Sequence, residues 1–194
     1  MKRQLLFIVT IIFFTINAKS QIEQGHWMVG GSGSYSIQTQ NINGVTLQSS
    51  VLKISPNVGY FLLNRFCAGV NLGTIIYNTK DKGPVAYTAI DSKYYLISPF
   101  VRYYFFSADK PYNLFSQLAY IHQSDKVNIL SGSNDNGMAF SGGCEFFFNA
   151  SVGIELSANY QFINSNNLPN TNTFFIGIGF QIHLETERNF NKHH

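Results

Sequence analysis

The sequence predicts an all-β chain folded as an eight-stranded antiparallel up-and-down transmembrane β-barrel. Three observations predict it. Large apolar and small or polar residues alternate with a period of two in eight separate stretches, the mark of strands with one greasy face. The connections between those stretches are alternately long and short, as in membrane barrels with loops on one side and tight turns on the other. Charged residues are only 12% of the chain, against 15% aromatics, about half the quarter usual in soluble domains.

The N-terminus is set aside before the strands are read. Met1-Lys2-Arg3 is basic, Leu5 to Ile16 is an apolar run too short to span a bilayer, and Ala18-Lys19-Ser20 is a small-residue exit. Residues 1–20 therefore read as a cleaved signal peptide, with the mature chain starting at Gln21. Residues 21–184 form one barrel domain, and Glu185 to His194 reads as a short polar periplasmic tail.

The first strand lies near His26 to Ile37, with Trp27, Val29, Tyr35 and Ile37 opposite Gly30, Ser32, Ser34 and Ser36. The second, Val51 to Leu62, sets Leu52, Ile54, Val58 and Tyr60 against Lys53, Ser55, Asn57 and Gly59. Pro56 in its middle lacks a ladder donor, so an irregularity is expected there. The third, Phe66 to Tyr77, sets Ala68, Val70, Leu72 and Ile76 against Gly69, Asn71 and Gly73; the fourth, Lys93 to Phe106, sets Tyr95, Ile97, Val101 and Tyr103 against Ser98, Phe100, Arg102 and Tyr104. The fifth, Asn113 to His122, is the least regular, with Leu114, Leu118 and Tyr120 opposite Gln117 and Ala119. Gly137 to Phe148 and Val152 to Phe162 supply the sixth and seventh, and Thr173 to Leu184 the eighth.

Long polar connections are expected at 38–50, 78–92, 123–136 and 163–172, and short turns at Leu63 to Arg65, Ser107 to Tyr112 and Asn149-Ala150. A soluble barrel would carry its apolar face inward and many Lys and Glu outward. Here the less apolar face is mostly Gly, Ser, Asn and Gln, which suits a narrow interior. The large face then meets lipid, through Val29, Leu52, Val70, Leu72, Val101, Phe140, Ile154, Leu156, Ile176, Ile178 and Phe180. Two aromatic girdles follow: Tyr35, Tyr77, Tyr95 and Tyr160 near the long loops, and Trp27, Tyr60, Tyr103 and Phe148 near the short turns.

The segments His26 to Ile37, Ile54 to Phe61 and Ser98 to Phe105 resemble the outer-membrane protein β-barrel family of small OmpA/OmpX-like barrels. The resemblance covers nearly the whole mature chain, and its motifs are diffuse. It implies an eight-stranded barrel in the bacterial outer membrane and no shared catalytic residues.

Four charges face the expected interior: Lys53, Arg102, Glu145 and Glu155. The structural reading is a salt-bridge network that plugs the barrel; the functional alternative is a charged constriction in a small ion or solute pore. His122, with Ser124 and Asp125 beside it, is the weaker candidate for a lipid-modifying enzyme, because a triad is defined by geometry rather than sequence proximity. His183, His193 and His194 have no cysteine or acid cluster nearby in sequence, so no metal is expected. Gly30-Gly31-Ser32-Gly33 precedes no helix pattern and is not a phosphate loop, so no cofactor is expected. Cys67 and Cys144 fall on opposite faces and suggest no disulfide. A net charge of +3 is too small for a nucleic-acid partner. The expected partners are outer-membrane lipid and an extracellular molecule met by the four long loops, with the protein a monomer.

Overall fold

A computed structural model describes residues 22–42, 45–81, 90–124, 134–164 and 171–185. The expected signal peptide, the cleavage point at Gln21 and the tail beyond Glu185 lie outside them. Eight strands run in order: β1 (Trp27–Ile42), β2 (Val45–Leu63), β3 (Phe66–Asp81), β4 (Ile90–Tyr104), β5 (Tyr112–Ser124), β6 (Asn134–Phe147), β7 (Val152–Asn164) and β8 (Thr171–Leu184). Each pairs antiparallel with its sequence neighbours, and β1 pairs with β8 from Trp27↔Leu184 to Gly33↔Ile178 to close the barrel. Closure removes the sheet edge over that span, and β1 and β8 run on beyond it, to Ile42 and back to Thr171.

The strands outrun the sequence expectation. A tilted strand needs roughly 10 residues to cross the hydrocarbon, yet β2 has 19 and β1 and β3 have 16 each. The segment 38–50, expected as a loop, is largely strand: the β1/β2 ladder continues from Gln38↔Ser49 to Ile42↔Val45, and β3 pairs alongside from Ser50↔Asn78 to Leu47↔Asp81. The reason is physical: where a hairpin meets water on both faces, apolar alternation fades while the ladder still satisfies the backbone. The other long connections are shortened in the same way, since β3 reaches Asp81, β5 reaches Ser124 and β7 reaches Asn164. Residues 82–89, 125–133 and 165–170 lie outside the described ones.

The proline expectation holds in form, and a second proline repeats it. Pairing of β2 with β3 passes from Ile54↔Thr74 to Asn57↔Asn71, skipping Ser55 and Pro56 without losing register. Pairing of β4 with β5 likewise passes from Ile97↔His122 to Phe100↔Ala119, skipping Ser98 and Pro99. Both prolines point outward and are exposed. The register shift in β2/β3 falls elsewhere, between Phe61 and Leu63, beside the short turn.

Turn chemistry closes the short end. Asn149 Oδ1 accepts from the Ser151 and Val152 amides at 2.8 and 2.9 Å, an Asx-type turn. Asn113 imitates a strand partner, accepting from Phe106 N and donating to Phe106 O, both at 2.9 Å. The turn between β2 and β3 puts Arg65 at φ 68°, and the Arg65 amide donates to Ile22 O at 2.8 Å. That bond, with Gln24 N to Asn64 Oδ1 at 2.9 Å, folds the residues ahead of β1 across the short-turn end. Ile22 is buried there.

The outward rows are those read from the alternation. Ile176, Ile178 and Leu156 are 53%, 64% and 52% exposed, and Val70 shares their outward parity on β3 between Val58 and Pro99. Trp27 stacks on Tyr60 at 5.0 Å between ring centroids. One assignment changes face. Tyr77, expected in the girdle, has the parity of buried Ile75 and packs against Ile75, Leu96 and Ile121, with its ring edge-on to Tyr94 at 5.6 Å. Ile75 and Tyr77 both stand an odd number of positions from outward Leu72 and Ile76, so a tyrosine at 77 belongs inside.

The interior is not uniformly small and polar. Near the short turns it is a cluster of Ile22, Met28, Phe61, Cys67, Phe100, Tyr104, Phe115, Ala119 and Phe147. Glycines on the inner face make the room: a Cβ on Gly69 would stand 2.6 Å from Phe100 Cζ and 2.7 Å from Gly59 Cα. Replacing Gly69 by Val should therefore cost about 1–3 kcal/mol of overpacking, seen as a lower urea midpoint in lipid vesicles. Trp27, the single tryptophan, provides the fluorescence signal.

Candidate functional site

The charged interior lies just above that aromatic floor. Its geometry begins with an awkward pair: β6 and β7 put Glu145 directly opposite Glu155, and like charges facing across a ladder repel. Each carboxylate is therefore taken up by different groups. Glu155 forms an ion pair with Arg102 from β4 and accepts from Gln181 Nε2 of β8 at 3.2 Å. Glu145 accepts from Tyr104 Oη at 2.7 Å and from His183 Nε2 at 2.8 Å.

Arg102 links the two halves. Its Nη1 donates to Tyr104 Oη at 3.1 Å and its Nε to Gln117 Oε1 of β5 at 2.8 Å. The guanidinium lies over the Phe115 ring at 4.2 Å, a cation–π contact strengthened by burial. Arg102 is 4% exposed, Glu155 3%, and Glu145 and His183 0%. Side chains from β4, β5, β6, β7 and β8 thus meet across the lumen, with Met28 Sδ of β1 touching Tyr104 Oη at 3.6 Å.

Local sequence explains how long side chains fit in so narrow a space. Gly153 follows directly after β7 begins, and a Cβ there would collide with the Glu145 carboxylate. A Cβ on Gly179 would stand 2.9 Å from Glu155 Oε2. Two inward glycines are the floors on which the two carboxylates lie.

The lumen above is polar and looser. A cavity of about 30 Å³ borders Asn57, Asn71, Ser157 and Arg102, and one of about 60 Å³ lies among Ser34, Ser55, Asn71, Ser98, Ser141 and Asn159. Both are roomy enough for water. Ser141 Oγ donates to Asn159 Oδ1 at 2.7 Å, and Asn159 Nδ2 to Ser157 Oγ at 2.9 Å.

Of the four charges grouped by sequence, three come together and one does not. Lys53 faces inward, as expected, but reaches Gln161 Oε1 at 3.3 Å and sits over the Phe175 ring at 5.1 Å. It belongs to the upper cavity, because Lys53 pairs with Ile75 while Arg102 pairs with Cys67, eight residues nearer the short turn. The residues that complete the lower cluster are Tyr104, His183, Gln181 and Gln117. Parity signalled all four, since each stands on an inward row. What sequence hid was their height.

The other candidates are dispersed. His122 points outward and its Nδ1 bonds Asn136 Oδ1 at 2.7 Å; Ser124 is buried, and Asp125 lies outside the described residues. His183 is committed to Glu145, while His193 and His194 lie outside the described residues. Among the described residues no group of three or more His, Cys, Asp or Glu is arranged to hold a metal. Cys67 faces inward, Cys144 pairs outward beside Leu114 and Leu156, and both are free.

Together, barrel and lumen define a class: a closed eight-stranded up-and-down barrel with an apolar wall and a packed polar interior, similar to outer-membrane barrels among solved structures. It is similar to the outer membrane protein OprG from Pseudomonas aeruginosa, with a TM-score of 0.57 at 12% identity over 87% of this chain and 100% of that one. It is also similar to Neisserial surface protein A (NspA), with a TM-score of 0.52 at 16% identity over 82% of this chain and 97% of that one. No protein-family model and no curated protein matches the chain.

Arg102→Leu leaves Glu145 and Glu155 facing each other without a guanidinium. The expected loss is about 3–5 kcal/mol, read from urea unfolding in vesicles. Arg102→Leu combined with Glu155→Leu should recover most of it; equal stabilities for the single and double variants would show that the pair is not coupled.

Proposed function

We propose that the protein is an integral outer-membrane barrel without catalytic activity, serving envelope structure or surface interaction, with its lumen plugged. The observation that carries this reading is the buried Arg102–Glu155 and Tyr104–Glu145–His183 cluster crossing the lumen inside a wall of outward Val, Leu, Ile and Phe. Such a wall is unfavourable in water and favourable in acyl chains. The signal peptide expected from the sequence of residues 1–20 agrees with it, as does the likeness to proteins whose names place them in the outer membrane or at the surface. The connections 43–44, 82–89, 125–133 and 165–170 are where an outside partner would be met, and the ring of eight strands is complete in a monomer.

The stacked polar cavities above the cluster favour a second reading, a small ion pore lined by Lys53, Arg102, Glu145 and Glu155. It differs in requiring the cluster to open. The plugged reading is tested by planar-bilayer recordings, which should show no steady conductance in the native protein. A conductance that changes when Arg102 and Glu145 are neutralised would replace the plug with the pore.

The membrane reading has its own test. The protein should sediment with outer membranes and migrate differently on gels before and after heating; recovery as a soluble periplasmic protein would end it. Ile178→Arg, near the middle of β8, should cost roughly 2–4 kcal/mol of stability in vesicles. The same substitution in a water-facing wall would cost nearly nothing.

A further inference from the structure

The outer wall is not evenly covered. On β3 the outward residues are Leu72, Thr74 and Ile76, and in register Thr74 stands between Ile54 of β2 and Tyr95 of β4. A small side chain between two large ones makes a trough. It lies where Ser55 and Pro56 drop out of the β2/β3 ladder, and Pro56, Leu72 and Ile97 wall its lower part. Its volume is about 590 Å³, within the range of small-molecule sites.

The trough ends at a cation. Lys93 lines it, paired in register with Ile76 and held over the Tyr95 ring at 5.3 Å. Lysine on a barrel's lipid face is costly at midplane and nearly free near the interface. Lys93 lies three residues from the loop end of β4, where a lipid headgroup is in reach. Beside Ile97, in register, is His122. His122 Nδ1 and Tyr120 Oη both bond Asn136 Oδ1, at 2.7 and 2.9 Å, so the polar groups level with the trough's lower part are taken up by one another.

We propose that this trough seats one acyl chain of an anionic, phosphate-bearing lipid from the loop-side leaflet, with Lys93 taking the phosphate. The assignment rests on the membrane reading above. Apolar floor and cation follow one another along β4, from Ile97 up to Lys93, in the order that an acyl chain and its headgroup phosphate require. A phosphate near a cation is a strong acceptor, and the apolar trough orients the chain that carries it.

The experiment is native mass spectrometry of the folded protein in detergent, incubated separately with diphosphoryl lipid A, phosphatidic acid and phosphatidylcholine. Lipid A and phosphatidic acid should each form an adduct in preference to phosphatidylcholine. Lys93→Gln should reduce that adduct roughly fivefold. Thr74→Leu, which fills the trough, should reduce it similarly, whereas Ala158→Leu on the opposite wall and His122→Ala beside the trough should leave it unchanged. Equal retention of phosphatidylcholine, or equal retention by Lys93→Gln, would overturn the proposal, as would an equal loss in Ala158→Leu. Heat-dependent gel migration of each variant reports the barrel independently: a native protein that lacks the shift strikes the membrane reading, and one that shifts but captures no lipid strikes only this site.

Discussion

Closure of the β1/β8 ladder is the constraint from which the other features descend. Once Trp27 to Gly33 bond to Ile178 to Leu184, the sheet closes on itself and its backbone groups over that span pair strand to strand. Only closed barrels and helices meet that condition in lipid. Closure also forces a binary choice on every side chain, in or out, because a two-residue period admits no third direction. The outer surface is then a matter of solvent, and the inner one a matter of volume.

Volume explains the character of the interior better than polarity does. Eight strands enclose a space that side chains fill, and this chain fills it unevenly. Near the short turns, Phe61, Phe100, Tyr104, Phe115 and Phe147 crowd together, with Phe100 and Phe115 in the space that Gly59, Gly69 and Gly143 release. Above them, serines and asparagines leave cavities. The facing Glu145 and Glu155 sit at the border between these regions. Their repulsion is tolerable because Arg102 approaches from one side and Tyr104 and His183 from another. A buried ion pair of this kind does little for net stability against an apolar substitute, while removing one partner is severe. The arrangement therefore holds strands β4 to β8 in one mutual geometry more than it deepens the fold's energy well.

What the sequence made legible divides along the same line. The eight strands, their order and the direction of nearly every side chain followed from alternation, since in and out are local properties of a strand. Strand ends were less legible: Gln38 to Ser50 lost its alternation above the apolar band and was taken for loop, though its ladder runs on. Heights within the lumen were less legible still. Lys53 and Arg102 share an inward face but stand in different layers, because relative height depends on stagger between strands, which no single strand encodes. The Glu145–Glu155 opposition was available, as the two residues lie five positions either side of Ala150 in a tight hairpin. Tyr77 was misplaced by reading its aromatic character ahead of its parity.

The barrel's rule is simple enough that its exceptions carry the information. A charge inside breaks the apolar packing rule, and here Lys53, Arg102, Glu145 and Glu155 are each met by a partner from another strand, so the exception is structural and self-contained. A charge outside breaks a different rule, and a wall of Leu, Ile and Phe has no equivalent way of answering it. Lys93 rests on Tyr95, which shelters its stem and satisfies part of its charge, but an aromatic face is a weak counterpart beside an anion. Local patterning is otherwise consistent from strand to strand, and departures from such consistency tend to mark function. Those four inward charges are answered by the protein itself, whereas Lys93 directs attention to the lipid around it.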